Sequence, residues 1–201
     1  MTDYSTLTPE AKEALVVKAK NVGYSTETLY GNCIQSTLHG IYRAVPDFGV
    51  TEDMLRGCFG LAGGCGCCLD GTCGALLGAA WTISLSKGRP INDLGGNYEE
   101  CHAMVRDVVE TFRKQYGSIL CRDVLAHNMG EAYDWKTPEG DQGYMEHFGT
   151  HHCATAVSFC TEIVARMIVD GTLKPIKYPK DKNHRVTWTA RGIFLFFFWM
   201  T

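Results

Sequence analysis

The most regular pattern along the chain is a stripe of apolar residues, Tyr98, Cys101, Val105, Val108, Val109, Phe112 and Tyr116, interrupted by polar positions. That period of about 3.6 residues predicts an amphipathic helix, capped by Asn97 and closed by Gly117. Thr8-Pro9-Glu10 opens an earlier helix with a cap, a proline at the first helical position and an acid in the first turn, and Gly23 reads as its stop. A second helix over residues 25–45 puts Leu29, Cys33, Thr37 and Ile41 on one face, with Cys33 in mid-helix facing inward, before Pro46 ends it.

Thr51-Glu52-Asp53 starts a short helix that runs into a glycine-rich stretch, and order resumes near residues 70–72 with CGALLGAAWTISLSKG. Low in charge and rich in small residues, this segment predicts a central buried helix in which Gly74 and Gly78 admit another backbone. A short helix is expected over residues 121–127 and a long loop over residues 131–152. HHCATAVSFCTEIVARMIV then forms a last helix ending at Asp170-Gly171, with Cys153, Val157, Cys160, Val164 and Met167 on one face. Beyond it lie a Lys/Pro-rich linker and the segments HRVTWTA and IFLFFFW, readable as a hairpin around Arg191-Gly192. The expected fold is all-α: a helical bundle over residues 1–171 with a glycine/cysteine-rich loop, followed by a C-terminal extension over residues 172–201.

With 201 residues the chain can bury a core without covalent staples, so its ten cysteines are not needed to rescue a small fold. The opening MTDYSTLTPEAKEAL has neither the basic start nor the apolar run of a secretion signal, and a reduced, cytoplasmic protein is expected. There, clustered cysteines more often bind metal or do redox chemistry than form structural disulfides. Net charge is −3 with both signs interleaved, leaving no basic stripe for nucleic acid. No apolar run reaches the roughly 18 residues of a membrane span. The apolar end from Ile193 to Met200 is expected to pack on its own domain, a second subunit or another protein, which makes a homo-oligomer the expectation.

LAGGCGCCLDGTCGALLG, residues 61–78, holds four cysteines and six glycines. Iron–sulfur clusters are held by thiolates and need backbone amides close to their sulfurs, an approach that glycine permits. Cys65 and Cys68 form a CxxC with Cys67 between them, and Cys73 stands at a helix start, where the dipole favours thiolate. Three other readings remain: a glycine-rich turn with small buried cysteines, a zinc site drawing on His151-His152-Cys153, and dithiol–disulfide exchange at Cys65 and Cys68. Cys58, Cys101 and Cys160 read as core packing, and His102, His151 and His152 as solvent-facing.

Cys33 in YGNCIQSTL, Cys73 in TCGALLG, Cys121 in CRDVL and Cys153 in HHCATAVSF resemble the four signature cysteines of the C_GCAxxG_C_C family. The resemblance implies a helical, anaerobe-associated redox protein. The region is also similar to the cluster-carrying part of split-Soret cytochrome c, where the corresponding cysteines accompany an iron–sulfur centre. Carried over singly, Cys33, Cys73, Cys121 and Cys153 become candidate ligands. This chain lacks CxxCH, so covalent haem is not expected. It adds Cys65, Cys67 and Cys68, which extend the candidate ligand set and admit a larger cluster or two clusters. The expected function is an iron–sulfur oxidoreductase or electron carrier acting with a redox protein partner or a small-molecule substrate. The alternatives are a thiol-rich metal-delivery module and a dithiol–disulfide oxidoreductase.

Overall fold

The structure, a computed structural model, describes residues 2–90 and 93–175. Eight α-helices carry these residues: α1 Pro9–Tyr30, α2 Cys33–Ala44, α3 Glu52–Gly57, α4 Gly74–Lys87, α5 Glu99–Tyr116, α6 Cys121–Met129, α7 Pro138–Glu146 and α8 Gly149–Val169. Among them there is no strand, only an isolated antiparallel bridge between Thr72 and Leu120. The fold is all-α. The expected hairpin and apolar tail fall on residues 176–201, outside the described residues.

The start and stop signals work locally as expected. Thr8 accepts from the Ala11 amide with Pro9 behind it, and Thr51 caps α3. The N-cap of α5 is Tyr98 rather than Asn97, whose side chain, one residue earlier, accepts from the Glu99 amide at 2.9 Å. Gly117 closes α5 in the left-handed conformation.

Gly23 does not stop α1. The helix runs on to Tyr30, and the glycine lies where a Cβ would come within 2.9 Å of Thr161 Oγ1 and 3.3 Å of the Ser36 carbonyl, so its missing side chain lets α1 close on α8 and α2. The break comes instead at Gly31 and Asn32, both with positive φ, and the Asn32 carboxamide caps α2 by accepting from the Gln35 amide at 3.2 Å. Cys33 therefore opens α2 rather than sitting inside a helix.

α1 and α8 form the most extensive pairing, and α2 and α4 complete a four-helix core against which α5 packs. Phe48, Phe112, Ile34, Leu38, Ile41, Ile83 and Val157 are fully enclosed there. The buried threonines of this core are satisfied internally: the Thr37, Thr82 and Thr161 hydroxyls each donate to the carbonyl four residues back, at 2.7–2.9 Å. By length and composition α8 is apolar enough to cross a membrane, but half of its most apolar window is buried within the protein. Leu173, just beyond it, is fully buried and its amide donates to the Met167 carbonyl at 2.8 Å.

The stretch expected as a long loop contains α7. Thr137-Pro138-Glu139 opens it just as Thr8-Pro9-Glu10 opens α1, with Thr137 Oγ1 accepting from the Gly140 amide at 3.0 Å. With α6 and the glycine-rich loop, α7 encloses a second, smaller core of Leu69, Cys121, Leu125 and Tyr144. Between that cluster and the four-helix core lies the candidate site.

Candidate functional site

The glycine-rich loop is a compact, hydrogen-bonded structure. Amide-to-carbonyl bonds link Gly66 to Gly60, Cys67 to Ala62, Leu69 to Gly63 and Gly71 to Gly64, all at 2.8–3.1 Å. Such tight folding requires left-handed backbone at Gly63, Gly64, Cys65, Gly66, Cys67 and Leu69. At Gly64 a Cβ would also come within 2.9–3.0 Å of the Leu69 and Gly71 backbone and of Cys121 Cβ, so no side chain fits. Cys65, Cys67 and Leu69 adopt positive φ with a side chain, at a cost of about 1–2 kcal/mol each. The loop is then stitched to the start of α6: the Cys73 amide donates to Ile119, the Cys121 amide to Gly71 and the Arg122 amide to Leu69, while Arg122 pairs with Asp70.

This stitching brings four segments to one cavity of about 220 Å³ with a largely apolar wall. Cys33, Cys73, Cys121 and Cys153 line it, and Cys67 joins them from the loop. Three of the five stand at helix starts: Cys33 is the first residue of α2, Cys121 the first of α6, and Cys73 the N-cap of α4. Unpaired amides and the positive end of the helix dipole favour negative charge at such positions. The amides of Ala75 and Leu76 face the Cys73 sulfur without closing a capping hydrogen bond, and the Gly63 amide faces Cys33. Cys153 lies in the first turns of α8, where the Tyr144 hydroxyl donates to its sulfur at 3.4 Å. The Trp135 ring meets Tyr144 edge-on at 5.1 Å and forms another part of the wall.

Burial dominates the electrostatics. It pushes the Cys33 and Cys153 thiols well above the ordinary thiol range, lifts Cys121 as well, and raises Cys73 to about 11. Repulsion adds to each: Cys73 and Glu27 act on Cys33, Cys121 and Cys153, and Glu27 also acts on Cys73. The protein alone thus holds these groups as neutral thiols, and a cation must enter before they ionise.

The structure separates the sequence-predicted residues. Cys33, Cys67, Cys73, Cys121 and Cys153 meet at the cavity, whereas Cys65 and Cys68 are exposed on the outer side of the loop and do not line it. Cys67 is exposed on one flank and lines the cavity with the other, which places it at the mouth. Cys58, Cys101 and Cys160 are buried in the main core. His151 and His152 stay outside the cavity, His151 within 3.3 Å of the Tyr24 hydroxyl. Among the described residues no three His, Cys, Asp or Glu side chains converge closely enough to hold a single metal ion.

Among the wall residues that the sequence did not single out are Glu27, Trp135 and Tyr144. Glu27 carried a signal, for it continues the buried stripe Val16, Ala19, Gly23 of α1 in helical register. Trp135 and Tyr144 were hidden by the loop assignment.

Neither curated proteins nor solved structures yield a match to this chain. A family model described as "Putative redox-active protein (C_GCAxxG_C_C)" matches residues 31–167, from the turn before Cys33 into the last turn of α8. Since that span includes all five cavity cysteines and most of the chain, the protein belongs to the C_GCAxxG_C_C family.

Proposed function

We propose that the cavity holds an iron–sulfur cluster on the thiolates of Cys33, Cys73, Cys121 and Cys153, with Cys67 at its mouth, and that the protein serves electron transfer or a reductive reaction. The carrying observation is the meeting of these cysteines, drawn from four distant segments, around one apolar cavity, three of them at helix starts. Thiols that ring about 220 Å³ without converging on one point suit a group several atoms across better than a lone zinc ion, which needs four tetrahedral ligands around a single centre.

A bound cluster would supply one-electron chemistry. The chain's part is to offset the ligand charge with helix N-termini, to donate from Tyr144 to the Cys153 sulfur, and to keep water out with the loop and the Trp135 ring. Each of these sets the reduction potential. Cys67 is where the cavity meets solvent, and so where a redox partner or small substrate comes nearest.

Anoxic purification followed by iron and acid-labile sulfide analysis, with visible and EPR spectra, tests this. Iron and sulfide together are expected, and Cys73→Ser should lose the visible chromophore. Zinc or copper without sulfide would favour a metal-delivery module instead. Metal-free, reversible oxidation at Cys65 and Cys68 would favour a dithiol enzyme. A colourless protein lacking iron and sulfide after anoxic reconstitution overturns the proposal.

A further inference from the structure

Among the described residues Glu27 is the one acid in the cavity wall. It sits near the end of α1, is 3 % exposed, and its Oε2 is buried without a hydrogen-bond partner among the described residues. The neighbouring Ser36 hydroxyl lies beside the carboxyl and also donates to the Gly31 carbonyl at 3.1 Å, leaving little with which to satisfy both oxygens. No Lys, Arg or His lines the cavity, so the described chain brings no cation to this carboxylate. A buried polar atom without a partner costs about 1–3 kcal/mol, and buried carboxylates in proteins are either paired or coordinate metals.

The surroundings settle what the partner must be. Glu27 lines the same cavity as Cys33, Cys73, Cys121 and Cys153, so its carboxyl borders the space these four thiols share.

We infer that Glu27 is an oxygen ligand of the metal group in this cavity, making the site a mixed carboxylate–thiolate centre rather than an all-cysteine one. The inference rests on the cluster reading above and deepens it. A hard oxygen donor among soft sulfurs makes the metal ion it touches chemically distinct from its neighbours, and more readily exchanged.

The test uses the full chain, reconstituted without oxygen with ferrous iron and sulfide, as wild type, Glu27→Gln and Glu27→Met. Both variants should lose iron to a competing chelator about ten- to a hundredfold more readily than wild type, with an altered EPR spectrum. In metal-free form both should melt at or above the wild-type temperature, because the substitution removes an uncompensated buried carboxyl. Variants with wild-type iron content, chelator resistance and spectrum overturn the assignment and leave the cluster reading standing. A lower melting temperature of both metal-free variants also overturns it, by showing a structural role. A wild-type chain that takes up neither iron nor sulfide sinks the cluster reading and this inference with it.

Discussion

Cys153 and Cys160 stand two turns apart on α8, yet they belong to different regions of the molecule. Cys160 is wholly enclosed in the four-helix core, where each buried threonine hydroxyl has a carbonyl to bond and apolar side chains fill the space. Cys153 lines the cavity, in a region that retains a carboxylate oxygen without a partner among the described residues, four cysteines whose ionisation burial opposes, and left-handed backbone at Asn32, Cys65, Cys67, Leu69 and Phe148. The core is arranged for stability alone. The cavity region departs from nearly every rule the core obeys, as sites under functional constraint do. A cysteine's role here follows from what lies in front of its sulfur.

Alanine at each of the two positions should give the widest separation. Cys153→Ala is expected to lose the visible chromophore and most bound iron, while Cys160→Ala keeps both and loses about 1 kcal/mol in chemical denaturation. Equal bleaching of the two variants would erase the distinction between the regions.

Two glycines on α4 offer a finer comparison. A Cβ at Gly74 would collide with the Cys33 sulfur, whereas one at Gly78 would meet Thr37 Cβ at 2.6 Å. Gly74→Ala and Gly78→Ala should each lose about 1–3 kcal/mol by overpacking the contact with α2. Iron content after reconstitution should fall only for Gly74→Ala, since only there does the strain reach a cavity thiol.

Within the site, Tyr144→Phe removes the donor to Cys153 and little else. The cluster should remain, with a more negative midpoint potential, because a hydrogen bond to a thiolate favours the more negative, reduced state. Loss of the bond should cost about 1 kcal/mol in unfolding experiments. A potential unchanged by the substitution would show that the Tyr144 hydroxyl does not act on the bound group.

The smallest effects are expected at the exposed face of the loop. Cys65→Ser and Cys68→Ser should leave iron content and melting temperature unchanged. Each should remove one thiol from the fast phase of alkylation, read by mass spectrometry, because both sulfurs are exposed while Cys33, Cys73 and Cys121 are buried. Loss of iron in either variant would bring the loop's outer thiols into the ligand set.

Where the sequence reading failed, it failed for identifiable reasons. Gly23 looked like a stop because glycine most often ends helices, but tight packing against Thr161 and Ser36 asks for the same residue. The Thr-Pro-Glu signal that opens α1 recurs at residues 137–139, where the glycines and acids that follow made α7 resemble a loop. Glu27 sat in register with the buried face of α1, yet an acid at such a position ordinarily reads as an exposed flank. The core stripe of α5 was legible without any of this, since Phe112 and Tyr116 are buried as their spacing requires.

The sequence by itself determined the helical class, most helix boundaries, the four family cysteines and the dense sulfur of the loop, because caps, periodicity and motif spacing are local properties. It could not decide which cysteines meet. Cys33 and Cys153 stand 120 positions apart and reach one cavity only because α1 and α8 pack along each other and the loop is pinned to the start of α6. Only tertiary structure turned Cys65 and Cys68 outward, brought Cys67 to the mouth and placed Glu27 among the thiols, since each outcome depends on contacts between segments whose local patterns say nothing of one another.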